Sequence, residues 1–468
     1  MSKATAKQIA PFLVLAALAI AAMFIKPEAD YIPGPNDPQY NSSDIAWVLV
    51  STALVFLMTP GLAFFYGGMV HRKNVISTMI KSVVAAGVVG ILWVTVGFSL
   101  SFGESIGGVI GNPTTYLFYH GVKSGAAWPL ANTIPLTLFS LFQLMFAIIT
   151  PGLVVGAVAE RIRFTSYILF IVLFSLLIYA PVAHWSWHPD GFLAKMGAWD
   201  FAGGTVVHIT AGCAALAGAL VLKRRKVHID NKEIPPANVP YVLIGTGLLW
   251  FGWFGFNAGS AVGATPLAVN AFGTTTTAAA AAGLAWMFFD VLKGKKPSVL
   301  GFCIGAVVGL VAITPAAGYV GIPQSIIIGM VGAIISNIAV SIKQKSRLDD
   351  TLDVFPCHGI GGMVGMLLTG VFANQLVHGI KDGPEGLFYG NYAFFFTQLK
   401  AMSIVAGYSF GMSWLIFKFI NLVLPIRVTE EEEELGLDAT QHNEKYLQGT
   451  LLVPANGKLQ ESLLEVED

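Results

Sequence analysis

The chain reads as an all-α polytopic membrane protein with eleven transmembrane helices, arranged as a 5+5 inverted pseudo-twofold repeat plus a long eleventh helix. Three observations carry that reading. Of 468 residues, 55% are hydrophobic and only 12% charged, whereas a soluble domain carries about 25% charged residues. Apolar runs of about 20 residues, the length that crosses a bilayer, recur along the chain. Two glycine-rich stretches, DFAGGTVVH at 200–208 and DVFPCHGIGGMVG at 353–365, each place a histidine after an acid. They open the fifth and tenth runs, so each belongs to the last helix of a block of five, and such blocks insert in opposite senses.

The runs fall near 45–69, 77–101, 131–158, 166–187, 200–222, 237–258, 265–290, 298–319, 323–342, 354–376 and 399–426, spans one to eleven. Before them, residues 9–25 form a shorter apolar run behind Lys3 and Lys7, followed by the polar, proline-rich PEADYIPGPNDPQYNSSD. A basic start, a short alanine-rich core and a polar sequel make residues 1–25 a signal peptide, with a retained first helix as the alternative. The expected domains are then a periplasmic segment at 26–44, a transmembrane domain at 45–427 and a cytoplasmic tail at 428–468. Loop charge sets direction. The loops after odd-numbered spans hold 15 Lys and Arg residues, against three (Lys123, Lys195 and Lys381) in the alternate loops. The odd loops are therefore expected in the cytoplasm, the mature N-terminus outside and the C-terminus inside. This is a multi-pass protein of the cell inner membrane, with the lipid bilayer as its first partner.

The 27 basic and 27 acidic residues cancel, and no nucleic-acid partner is implied. Cys213, Cys303 and Cys357 lie in apolar segments and form neither a disulfide framework nor a CxxC metal site. The 51 glycines exceed the ordinary share of about 7%. The spacings Gly152/Gly156, Gly301/Gly305/Gly309 and Gly361/Gly365 let helices approach closely and are read as packing.

Ionisable groups deep in a membrane helix are costly and mark a pathway or a partner. His208 lies eight residues after Asp200, about 12 Å along a helix, and His358 occupies a matching place in span ten. An inverted repeat would bring the two rings together near the midplane. Neutral imidazoles sharing one hydrogen bond would each keep a nitrogen for a small polar guest. Asp200 either touches that guest or caps its helix. His184, His188 and His378 fall near span ends and need no special role, while Lys81, Asp290 and Lys418 are placed to snorkel. No third strong ligand recurs at zinc-like spacing, so neither a metal nor a cofactor is expected. Aromatic residues cluster at outer span ends: Trp187 in span four; Trp253, Phe254 and Phe256 with Ser260 in span six; and Phe142 and Phe146 in span three. Their faces attract a cation within about 6 Å. Together they predict an outer vestibule for a small cation.

At these residues the chain resembles the ammonium transporter (Amt/Mep/Rh) family, in its bacterial branch. The resemblance runs from about residue 45 to Tyr446 through FFYGGMVHRKN at 64–74, GAVAERIRF at 156–164, DFAGGTVVH at 200–208, GWFGFNAGS at 252–260 and DVFPCHG at 353–359. It implies a homotrimer of independent pores and the transport of ammonium, ammonia and methylammonium, without enzymatic activity. His208 and His358 match the family's pore histidines. Trp187, Phe146 and Ser260 match its outer substrate site, which Asp200 shapes, and Phe146 with Phe256 match its stacked phenyl gate. Leu144 and Met145 replace small residues between the span-three phenylalanines, which is expected to narrow or reorient the gate. The resemblance also implies that a PII-type signalling protein acts through the cytoplasmic tail.

Within that tail, Glu430–Glu434 reads as a solvated acidic run on the same side as the basic KRRK at 223–226, to which it could dock reversibly. Three rival functions fit the composition less well. An intramembrane enzyme needs a third ligand at depth, and no HExxH-like pair is present. An ammonium-sensing receptor with little transport usually adds a soluble signalling domain, for which the tail is too short. An uncoupled gas channel shares the fold.

Overall fold

Short polar side chains set where the spans begin. Asn41, Asn238, Thr265, Ser298 and Asn391 each accept a backbone N–H from the first turn of the helix that follows. Such caps satisfy donors that have no partner within the helix. Pro240 and Pro266 stand in first turns, where the missing N–H costs nothing.

The computed structural model describes residues 3–25, 40–232, 234–380 and 383–446. Among these, ten helices are long and apolar enough to cross a membrane. They are Ser42–Met69, Arg72–Phe102, Leu136–Val158, Phe164–Lys195, Gly204–Leu222, Val239–Ala261, Pro266–Leu292, Ile322–Gln344, Phe355–Phe372 and Tyr392–Val423. Val299–Ile313 is a shorter apolar helix of 15 residues and stands where span eight was expected. Each of the eleven expected spans thus falls on a helix, with shifted ends. Span five starts at Gly204 because residues 200–203 form its capping loop, and span eleven starts earlier, at Tyr392.

Before span one, Lys3–Met23 is helical, and its apolar part, Ala10–Met23, is too short to count as a span. Residues 26–39 of the expected periplasmic segment and residues 447–468 of the tail lie outside the described residues. A two-strand hairpin, β1 (Ser105–Ile106) paired antiparallel with β2 (Ile110–Gly111), covers the loop after span two.

Five spans contain a π-helical turn: Trp93–Gly97, Ser175–Tyr179, Gly204–Ile209, Phe254–Ala258 and Phe355–Ile360. Such turns are rare and gather at functional sites, because the extra residue re-aims side chains and leaves carbonyls short of a regular partner. Three of these five carry His208, Phe256 and His358.

The glycine spacings act as packing. A side chain at Gly305 would come within 2.5 Å of Trp286 in span seven, and one at Gly309 within 2.5 Å of the Ala278 carbonyl. Lys81 departs from expectation. It is 1% exposed, and its ammonium donates to the Ser77 carbonyl at 3.1 Å and the Ser77 hydroxyl at 2.6 Å, so it does not snorkel. Asp290 is likewise held inside, accepting from Asn337 at 3.1 Å.

Candidate functional site

Spans five and ten cross where neither has a side chain to keep them apart. A Cβ at Gly212 would lie 2.2 Å from the backbone of Gly359, and one at Gly362 would lie 3.1 Å from the His208 Cβ. This contact brings together two rings 150 residues apart. His208 Nδ1 and His358 Nδ1 are 3.3 Å apart, with the ring planes 25° from parallel. Two nitrogens at that distance share one proton, so one ring donates and the other accepts. Their Nε2 atoms then differ: one is an acceptor and the other an N–H donor. His208 is 1% exposed, its Nε2 has no partner, and its ring stacks on Trp253 at 5.4 Å and Phe256 at 5.9 Å.

Each histidine is aimed from a capped helix start. The Asp200 carboxylate accepts from the N–H groups of Gly203 (2.9 Å), Gly204 (2.7 Å), Thr205 (2.7 Å) and Val206 (3.4 Å), and from the Thr205 hydroxyl. In span ten the corresponding acid is Asp350, accepting from Val354 at 3.0 Å and Phe355 at 2.7 Å. Asp350 lies eight residues before His358, as Asp200 lies eight before His208. The acid of the DVFPCHG stretch, Asp353, does other work: it pairs with Lys343 at 2.7 Å. The pseudo-repeat is therefore Asp-x7-His, which the shorter motif conceals.

Three cavities lie in series. The outer one, of about 140 Å³, is lined by Trp187, Phe146 and Ser260, together with Phe142, Trp128 and Gln143. The Phe146 ring meets Trp187 edge-on at 5.9 Å and Phe256 at 4.4 Å. Phe146 lines the outer cavity and Phe256 the middle one, so this ring pair is the partition between them. The middle cavity leaves about 10 Å³ for the centre of a water-sized guest, beside His208 and His358. That is close to the least that a single water requires. The inner cavity, of about 350 Å³, reaches from His358 past Tyr66 and Asp353.

Most expected site residues meet here, with informative exceptions. Asp200 does not line the outer cavity. Of its two expected roles the geometry supports the cap, while its backbone carbonyl accepts the Trp187 indole N–H at 3.1 Å and so orients that ring. Trp253 stacks on His208 and lines the middle cavity, donating to Thr314 at 2.9 Å, and does not line the outer one. Phe254 turns away to stack on Phe272 at 3.9 Å. Leu144 and Met145 line neither the outer nor the middle cavity. Sequence reasoning passed over Trp128 and Gln143; an amide one turn before Phe146 was the available signal. His184 is locked between Ser105 at 2.8 Å and the Ser101 carbonyl at 3.0 Å.

At the far end, a buried ion network ties the odd-numbered loops together. Arg225 pairs with Glu160 at 2.6 Å and Asp349 at 2.8 Å, and Arg161 donates to the Asp349 carbonyl and to Thr351. Burial alone would raise the Asp349 carboxyl, but Arg225 and Arg161 outweigh it and hold it well below the usual carboxylate range. The tail docks on this face. Glu432 closes a capping box with Thr429 and takes both Arg163 nitrogens, at 3.0 and 2.6 Å. Glu433 accepts from Arg427 and from the Lys226 N–H, each at 2.7 Å, and Glu434 pairs with Lys226. Further on, Asp438 caps span two through Ser77 at 2.7 Å and Ile76 at 3.1 Å. The acidic run is thus a short helix docked through Glu432, Glu433 and Glu434, while Glu430, Glu431 and Glu434 remain exposed as a solvated run would be, and Lys226 is the KRRK residue that meets it.

Residues 46–446 match the model of the Ammonium Transporter Family. The chain is 45% identical over 411 residues to the ammonium transporter of Bacillus subtilis, covering 87% of this chain and 99% of that one. It is 42% identical over 404 residues to Amt1 of Archaeoglobus fulgidus, covering 86% and 99%. The crystal structure of Candida albicans Mep2 superposes with a TM-score of 0.78 at 37% identity, covering 84% of this chain and 88% of the other.

Proposed function

The chain belongs to the Ammonium Transporter Family and is an ammonium transporter of the membrane, and we propose that it recruits NH4+ at the outer aromatic cavity, strips a proton there and conducts NH3, with or without that proton, past His208 and His358 into the cytoplasm. The observation that carries this reading is the series of three cavities, divided by the Phe146–Phe256 pair and narrowed at two histidines.

Bare NH4+ in an apolar pore would cost tens of kcal/mol by Born solvation. Low dielectric disfavours the charged form of any titrating group, so the ion gives its proton to solvent water on the outer side of the phenyl rings. Neutral ammonia is small enough for the middle cavity and meets one donor and one acceptor Nε2. K+ has no proton to lose and is rejected. The ion binds first against Trp187, Phe146 and Ser260, while Asp200 holds Trp187 in place. Methylammonium shares this route.

Trp187→Leu removes the strongest cation–π face, a contribution of ~0.5–2 kcal/mol. The half-saturating ammonium concentration, read from ammonium uptake into proteoliposomes, is expected to rise about tenfold. Unchanged kinetics and unchanged discrimination against methylammonium would remove Trp187 from the site.

We also propose a homotrimer in the inner membrane, with the C-terminus cytoplasmic and the docked tail as the point where a PII-type protein acts. The tail touches the loops after spans one, three and five, so its release would be felt at their ends. Deleting residues 428–468 is expected to leave an assembled trimer whose transport is impaired or no longer responds to a PII partner. Equal transport by both chains, with and without that partner, would make the tail an inert end.

A further inference from the structure

We propose that Gln143 is a substrate-binding residue of the outer cavity, its amide oxygen completing the hydrogen bonding of the bound ion. This rests on the reading of that cavity as a cation site. Gln143 is 9% exposed, lines the cavity, and its buried Oε1 has no hydrogen-bond partner among the described residues. A buried amide oxygen left unpaired is costly, so its persistence calls for a guest or a function.

The other polar groups of the cavity define what that guest is. The Trp187 N–H is committed to Asp200, leaving its ring face. The Ser260 hydroxyl donates to the Phe256 carbonyl at 2.7 Å, so only its lone pairs remain for a ligand. A serine oxygen and aromatic faces ask for a donor-rich cation. The Gln143 amide turns about its last torsion and presents oxygen or nitrogen according to its neighbour, and a cation selects the oxygen. Gln143 sits three residues before Phe146 on one helix face, about 4.5 Å outward of the phenyl partition. Ammonium held there would give N–H bonds to Ser260 and Gln143 while resting against Trp187 and Phe146. Two oxygens suit a four-donor ion but fall far short of the shell that a bare alkali cation needs, so Gln143 serves selectivity as well as affinity.

The test uses full-length protein in proteoliposomes and reads the initial rate of ammonium uptake across a concentration series. Gln143→Met keeps the length of the side chain and removes the acceptor; the half-saturating concentration is expected to rise about tenfold with the maximal rate retained. Gln143→Glu is expected to lower both, because a carboxylate holds NH4+ and opposes its deprotonation. A merely structural role would not separate the two parameters in this way. If Gln143→Met stays within twofold of the parent while Trp187→Leu shifts, Gln143 is not part of the site. If neither shifts, the outer-site reading itself fails. Should Gln143→Met not yield folded protein, Gln143→Glu decides alone: unchanged parameters overturn the proposal.

Discussion

Replacing both His208 and His358 with alanine is expected to lower ammonium transport at least tenfold or to open the pore to K+, with the protein still inserted and assembled. The two rings hydrogen-bond to each other and, among the described residues, narrow the middle cavity to the size of one small guest. Removing one leaves a buried imidazole without its partner. Removing both leaves an apolar tube with room for more than one water, in which ammonia finds no hydrogen bond and hydrated cations are no longer excluded. Paired measurements of ammonium uptake and K+ flux distinguish loss of conduction from loss of selectivity. A double variant that transports at the parental rate and still excludes K+ would end the assignment.

The second large effect is expected at Asp200. Alanine there leaves the N–H groups of Gly203, Gly204, Thr205 and Val206 without their acceptor in a buried setting, at about 1–3 kcal/mol for each group that finds no new partner. The start of span five loses its anchor, and the loop whose residue-200 carbonyl accepts the Trp187 indole N–H loosens with it, so melting temperature and transport both fall. Asn at this position keeps one acceptor oxygen but no charge. If Asp200 acts as a cap, Asp200→Asn retains part of the transport and most of the stability. If instead its charge attracts the ion, Asp200→Asn will match Asp200→Ala in transport while melting like the parent. A thermal melt alongside a transport assay separates the two.

Apolar run length made the spans legible, because a bilayer tolerates only segments whose backbone is satisfied internally. The two histidines were legible because an ionisable ring at depth is costly without a purpose. Which aromatic faces the pore was not legible. Phe254 and Phe256 stand two residues apart in one apolar helix, and a helix apolar on every side carries no pattern to tell lipid from pore. The π turn at Phe254–Ala258 and packing against spans three and seven decide it.

The sequence by itself determined the membrane class, the helical spans, the likeness of two histidine-bearing stretches and the residue types of a cation site. Each of these follows from local composition or spacing, which the chain carries whatever its fold. Tertiary structure alone decided that Gly212 meets Gly359 and so brings the histidines into contact. It also decided that Asp350, not Asp353, is the counterpart of Asp200, and that Glu432 and Glu433 are docked and not solvated. The reason is physical: a helix crossing, a cap or an ion pair depends on which surfaces meet. Two acids three residues apart in one loop are told apart only by the backbone groups and lysine they come to face.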